Sequence, residues 1–146
     1  MTTVAAIMFV ALVLLAVMHA AWGFGARWPA QDERDLVALV VGRTGRTRMP
    51  TRSECLGAAA AIFAAGIVAL AVADLIILPL PATLITMAAV FVTAVFAGRG
   101  IAAYLPAWRQ RFSQEPFATL DRNWYAPLCL LFALAFAVLV AQRVGG

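Results

Sequence analysis

Apolar residues run almost unbroken through four stretches of this chain, at about residues 4–24, 55–78, 82–104 and 124–141, and charged residues gather between them. A helix needs about 20 largely apolar residues to cross the ~30 Å hydrocarbon layer, so each stretch predicts one transmembrane helix. In lipid every backbone polar group must be paired within the protein, which leaves the helix as the form these stretches can take. The pattern predicts an all-α fold: one membrane domain over residues 1–146, built as a bundle of four transmembrane helices. Pro79 and Pro81 predict a tight reversal between the second and third spans, because proline lacks a backbone donor and restricts the residue before it. The opening MTTVAAIMFV has no basic segment and leads into an apolar run longer than that of a signal peptide, so it is read as a retained helix.

The connections are unequal. The one at residues 25–54 carries Arg27, Arg34, Arg43, Arg46, Arg48 and Arg52, and the one at residues 105–123 carries Arg109, Arg111 and Arg122. The start of the chain and the Pro-rich turn carry none. Arginine near span ends favours the cytoplasmic side, so both long connections are expected there, with both termini outside. Arg143 is the one residue that counts against this. The same asymmetry argues against the dual-topology plan of small drug-efflux dimers.

Within the first connection, Pro29 precedes Asp32, Glu33 and Asp35, acids that suit the positive end of a helix, and Gly42 is placed to end it. Leu36, Val37, Val40 and Val41 recur at helical spacing. A short amphipathic helix lying on the membrane surface is expected, followed by a basic linker from Gly42 to Ser53. In the second span Gly57, Ala58, Ala61, Ala64, Ala65 and Ala69 form a nearly featureless stripe. Small residues let helix backbones approach closely in lipid, so the stripe is expected to pack within the bundle, with a homodimer face as the alternative.

Composition agrees with lipid as the solvent: of 146 residues, 64% are hydrophobic and 12% charged. A soluble domain has about 45–50% and ~25%. The net charge of +4 raises the question of nucleic acid, but all eleven basic residues are arginines, and nearly all flank or separate apolar runs instead of forming a patch interleaved with aromatics. Their expected partners are membrane lipids, with a membrane-protein partner or a second copy of the chain as further possibilities, and no nucleic acid.

With this topology four segments bring polar groups to one depth near the cytoplasmic face. Those groups are His19 and Trp22 on the first span, Cys55 on the second, Arg99 on the third, and Asp121 to Cys129 on the fourth. Ionisable groups in a membrane are costly enough to require a partner or a use. His19 and Trp22 lie one turn apart on one face, with Gly23 leaving room beside the imidazole. Interfacial anchoring explains them, and so does a ligand. Arg99 reads either as a topology anchor or as the partner of Asp121 in a buried network. Asp121 also suits the positive end of the fourth helix, and Tyr125, four residues on, reaches the same region. Pro127 is tolerated in a first turn and bends the helix elsewhere. Cys129 reads as a small packing residue, and Asp74 as the outer terminus of the second helix. His19, Trp22, Arg99, Asp121 and Tyr125 are therefore the candidate ligand-binding cluster.

No catalytic residue, metal site or cofactor is assigned. One histidine cannot supply both axial ligands of a bis-histidine haem, and no Cys-x-x-Cys pair, Glu-x-x-His spacing, Ser–His pair or Gly-rich phosphate loop occurs. Gly98-Arg99-Gly100 is too short to count as one.

Three segments carry a resemblance: His19-Ala-Ala-Trp22-Gly-Phe-Gly-Ala-Arg27-Trp28-Pro29, Gly98-Arg99-Gly100-Ile-Ala-Ala-Tyr104-Leu-Pro106, and Pro116-Phe-Ala-Thr-Leu-Asp121-Arg-Asn-Trp-Tyr125-Ala-Pro127-Leu-Cys129. Together they resemble an uncharacterised bacterial family, the domain of unknown function 3995 family, over nearly the whole chain. The resemblance implies a small four-helix inner-membrane protein and brings no activity, cofactor or functional residue with it. The family pattern often has an aromatic residue just after the histidine; Ala20 and Ala21 stand here, which counts against a stacked cofactor at that point.

The reading the sequence favours is a non-catalytic accessory or scaffold protein of the membrane. The alternative is a protein that binds an amphipathic ligand, a quinone or a lipid headgroup, in the polar cluster, with acid–base chemistry as its stronger form. A transporter ranks third, because charge at mid-membrane is lacking. Geometry separates the first two: a ligand site requires the cluster to converge on a hollow.

Overall fold

The computed structural model describes residues 1–145. Helix α1 spans Thr2–Gly23, α2 Glu33–Val40, α3 Arg52–Val72, α4 Ala82–Ala102, α5 Pro106–Arg111, α6 Phe117–Leu120 and α7 Ala126–Gly145, with a π-helical turn at Asp121–Tyr125 joining the last two into one continuous rod. Four of these are long and apolar enough to cross a membrane: α1, α3, α4 and the rod Phe117–Gly145. Among the described residues there is no strand. The protein is a multi-pass membrane protein with an all-α fold.

The long helices form two close pairs, α1 with α3 and α4 with α7, and the pairs meet chiefly through α3. In the first pair Ala5, Met8, Leu12 and Ala16 recur at helical spacing on the buried face of α1. They meet Ala59, Ala65, Gly66 and Ala69 of α3, where Gly66 leaves space for the Phe9 ring. The packed face of α3 is thus rotated from the expected small-residue stripe. Ala65 and Ala69 belong to it, whereas Gly57, Ala61 and Ala64 lie exposed toward the lipid side. In the second pair Phe96 packs on Phe132 and Phe136 at ring separations of 5.2 and 6.2 Å. A Cβ on Gly100 would lie 2.6 Å from Leu130 Cγ and 3.1 Å from the Ala126 carbonyl, so glycine sets the closeness of that approach. Thr86 and Thr93 return their hydroxyls to the carbonyls of Ala82 and Ala89, which pairs them without a neighbouring helix.

The shared core gathers at the end that holds the chain termini, around Ala5, Met8, Ala69, Val72, Ile85, Ala89, Phe136 and Leu139. There α3 stops at Val72, six residues short of its apolar run, because Asp74 takes a positive φ of 54° and turns the chain out. Arg143 of α7 reaches this turn. Its Nη1 donates to the Val72 carbonyl at 3.0 Å and pairs with Asp74 Oδ1 at 2.9 Å, closing the end of α3 with a cation as the helix dipole prefers.

At the opposite end the two long connections lie together. Asp32 caps α2 by accepting from the Asp35 amide, and Thr51 with Glu54 forms a reciprocal capping box at the start of α3. Leu36 and Val37 are the buried face of α2. The first connection is tied to the second: the Thr44 amide donates to the Arg111 carbonyl and the Gln114 amide to that of Gly42. Gly42 has a φ of +63°, and a Cβ there would fall on the ring of Phe117, so only glycine ends α2 at this point. The stretch from Gly42 to Ser53, read as a basic linker, is thereby anchored at its start.

Candidate functional site

The two helix pairs close tightly at the termini end and leave a hollow at the other. That hollow is a cleft of about 430 Å³ lined by His19 and Trp22 of α1, Cys55 and Ala58 of α3, Arg99 of α4, and the rings of Trp108, Phe112 and Phe117, with Val40 and Val41 from the end of α2. Its volume falls within the ~300–1,000 Å³ of small-ligand sites. The walls are mostly apolar, and the polar groups come from opposite sides: His19 from one helix pair, Arg99 from the other.

Each is held. His19 Nδ1 donates to the Leu15 carbonyl at 2.8 Å, so that nitrogen carries the proton and Nε2 of the neutral ring is left as an acceptor. The His19 and Trp22 rings sit 5.0 Å apart, and the Trp22 indole donates to the Trp28 carbonyl, which fixes the chain as it leaves α1. Gly23 brings Cys55 close, its Cβ position lying 3.2 Å from that of Cys55.

Arg99 sits between two supports. Its Nη2 pairs with Asp121 Oδ1, and its guanidinium lies over the Trp108 ring at 4.6 Å, a cation–π contact. The other carboxylate oxygen of Asp121 accepts from the Trp108 indole at 2.9 Å. Asp121 is 3% exposed and is the one buried charged side chain among the described residues. Both its oxygens are occupied, as burial of a carboxylate demands. Arg99 keeps spare capacity, since its Nη1 has no protein acceptor although it is buried.

The π-turn explains how Asp121 reaches this position. Pro127 lacks the amide that an α-helix would direct at the Asn123 carbonyl, and its ring would crowd that oxygen. The preceding turn widens, with the Ala126 amide donating to the Asp121 carbonyl five residues back. Such widened turns recur at functional sites. Pro127 therefore neither ends nor sharply breaks the helix.

Of the five candidate residues, His19, Trp22 and Arg99 line the cleft. Asp121 stands behind Arg99 and borders a smaller hollow of about 190 Å³, which shares Trp108 and Phe112 with the first. Tyr125 does not line the cleft: its hydroxyl donates to the Leu39 carbonyl at 3.2 Å, pinning α2 to the rod. Trp108, the third member of the Arg99–Asp121 group, is not a sequence candidate. It lies two residues beyond the Tyr104-Leu-Pro106 segment, in a turn that Pro106 begins, and no periodicity links it to a carboxylate thirteen residues later. Cys55 and Cys129 are both free thiols.

Phe24, Trp28 and Trp124 are exposed at the cleft end, where aromatic side chains meet a membrane interface. Four lipid-length helices, with both long connections at one end over an aromatic cleft, define a small multi-pass membrane protein. The chain belongs to the family described as Protein of unknown function (DUF3995), matched over residues 12–136. That range runs from within α1 to within α7 and contains every residue of the cleft. No curated protein and no solved structure matches the chain.

Proposed function

We propose that this protein binds an amphipathic ligand, a quinone or a lipid headgroup, in the cleft between its helix pairs, with the apolar part of the ligand in the bilayer. The observation that carries this reading is the convergence of His19 and Arg99, from separate helix pairs, on one apolar-walled hollow of ligand size. A scaffold has no need to hold a guanidinium at such a place between a carboxylate and an indole. Asp121 and Trp108 are positioning residues for Arg99, and Tyr125 serves the fold. The cleft end faces the cytoplasm of a bacterial inner membrane and both termini lie outside, a reading supported by the arginines of the two long connections and by Arg143 being engaged with Asp74.

Mass spectrometry of the protein purified in mild detergent tests the proposal. A retained small molecule is expected in the unaltered protein and is expected to be lost in Arg99→Ala. A stoichiometric protein subunit in place of a small molecule would return the accessory reading, and recovery of bare, folded protein would sink the ligand reading.

A further inference from the structure

The chemistry of the cleft narrows the ligand further. We infer that its polar end is an uncharged planar ring bearing carbonyl or hydroxyl oxygens, of the quinone type, and not a phosphate headgroup; this rests on the ligand reading above.

Charge decides against phosphate. The ionisable side chains that line the cleft are His19, Glu54, Cys55 and Arg99. The charge of Arg99 is already met by Asp121. Glu54 makes no ion pair, since those among the described residues are Arg99–Asp121 and Arg143–Asp74, though the charge of Arg46 acts on it from nearby. Its carboxylate is held by the Thr51 amide and hydroxyl as part of the capping box of α3. The one fixed cation of the lining, Arg99, is thus already paired, and a phosphate would find no free cation there to receive it. A phosphate site needs two or more unpaired cations or a row of amides.

The walls favour a ring. Trp22, Trp108, Phe112 and Phe117, with the imidazole of His19, border the hollow. Trp108 and Phe112 are stacked at 4.3 Å and Phe117 lies 6.3 Å beyond Phe112, a run of aromatic rings against which a conjugated ring can pack. The polar groups then suit a neutral partner. Arg99 Nη1 has no acceptor to lose, so a ligand oxygen that reaches it displaces no existing hydrogen bond. His19 Nε2 accepts from a hydroxyl. A carbonyl at one side and a hydroxyl or second oxygen at the other match these two groups without adding charge.

The test uses the full chain in detergent micelles, with tryptophan fluorescence as the readout, since Trp22 and Trp108 border the cleft. The probes are decylubiquinone and dihexanoylphosphatidylglycerol. The unaltered protein is expected to show saturable quenching by decylubiquinone that the phospholipid does not displace. Ala58→Phe, which fills the cleft without replacing a charged group, is expected to weaken it tenfold or more. Val41→Phe at the rim does the same if Ala58→Phe fails to fold by circular dichroism. Saturable binding of the phospholipid, with only unsaturable quenching by the quinone, would overturn the inference and leave the ligand reading standing. If neither probe binds saturably, both fail. Equal quinone affinity in a folded cleft-filling variant would place the binding elsewhere and also overturn the inference.

Discussion

Asp121→Ala removes a carboxylate that is 3% exposed and that receives both the Arg99 guanidinium and the Trp108 indole. Its loss leaves a cation and an N–H without acceptors at the border of the hydrocarbon. Removing one partner of a fully buried ion pair costs about 3–5 kcal/mol. Arg99 is 30% exposed, so solvent and a snorkelling side chain absorb part of the freed charge, and the expected loss falls to about 2–3 kcal/mol. Asp121→Asn retains an oxygen for the indole and should recover about 1 kcal/mol of that. Equilibrium unfolding in mixed SDS–detergent micelles, followed by circular dichroism, measures both. A cycle with Arg99→Ala isolates the pair: the double variant should lose less than the two single losses together, with a coupling of about 1–3 kcal/mol. Additive losses, or an Asp121→Ala variant within about 0.5 kcal/mol of the parent, would show that the carboxylate does not brace Arg99.

Further expectations follow from the fold. Gly100→Val drives a branched side chain into Leu130 and the Ala126 carbonyl, and should destabilise the α4–α7 pair by about 1–3 kcal/mol in the same unfolding assay; a neutral effect would contradict the close approach. Arg143→Ala frees the carbonyl end of α3 and should cost about 1 kcal/mol, with faster amide exchange at residues 71–75 as its local signature; unchanged exchange would refute the capping role. Tyr125→Phe removes the tie to Leu39, so α2 should exchange faster while the four long helices keep their protection; protection lost evenly across all helices would refute a local tie. In a variant lacking Cys55 and Cys129, single cysteines at Arg46 and Ser113 should both be labelled by a membrane-impermeant reagent from the cytoplasmic side only. Labelling from opposite sides would break the topology.

What the sequence makes legible follows from what lipid penalises. Hydropathy places all four long helices, because the hydrocarbon layer demands both their length and their apolarity. It overruns the end of α3, because Leu75, Ile76, Ile77 and Leu78 are as apolar as the helix before them and only the backbone turn at Asp74 ends the hydrogen bonding. It also cannot choose the packed face of a helix whose faces are all apolar. Gly57, Ala61 and Ala64 read as interface by spacing, yet α1 packs one face round, against Ala59, Ala65 and Gly66. In water a polar stripe would have marked the outside; in lipid that mark is missing.

Polar residues therefore carry the information that apolar ones lose. Arg99 and Asp121 are each expensive alone at this depth, so their pairing is foreseeable from cost, and the structure brings them together. Arg143, the exception to the charge asymmetry, is accounted for by the same logic: with Asp74 and two open carbonyls within reach, it works as a helix cap and need not mark a cytoplasmic end. Trp108 escapes because an indole at a membrane interface has no excess cost to explain. The π-turn escapes too, since a proline near a helix start signals only that one amide is absent. Where Asp121 points is settled only with the Arg99 and Trp108 donors that other segments bring to it. The cleft is thus a product of tertiary structure, assembled where the helix pairs part, and its polar groups are legible one at a time before its shape is.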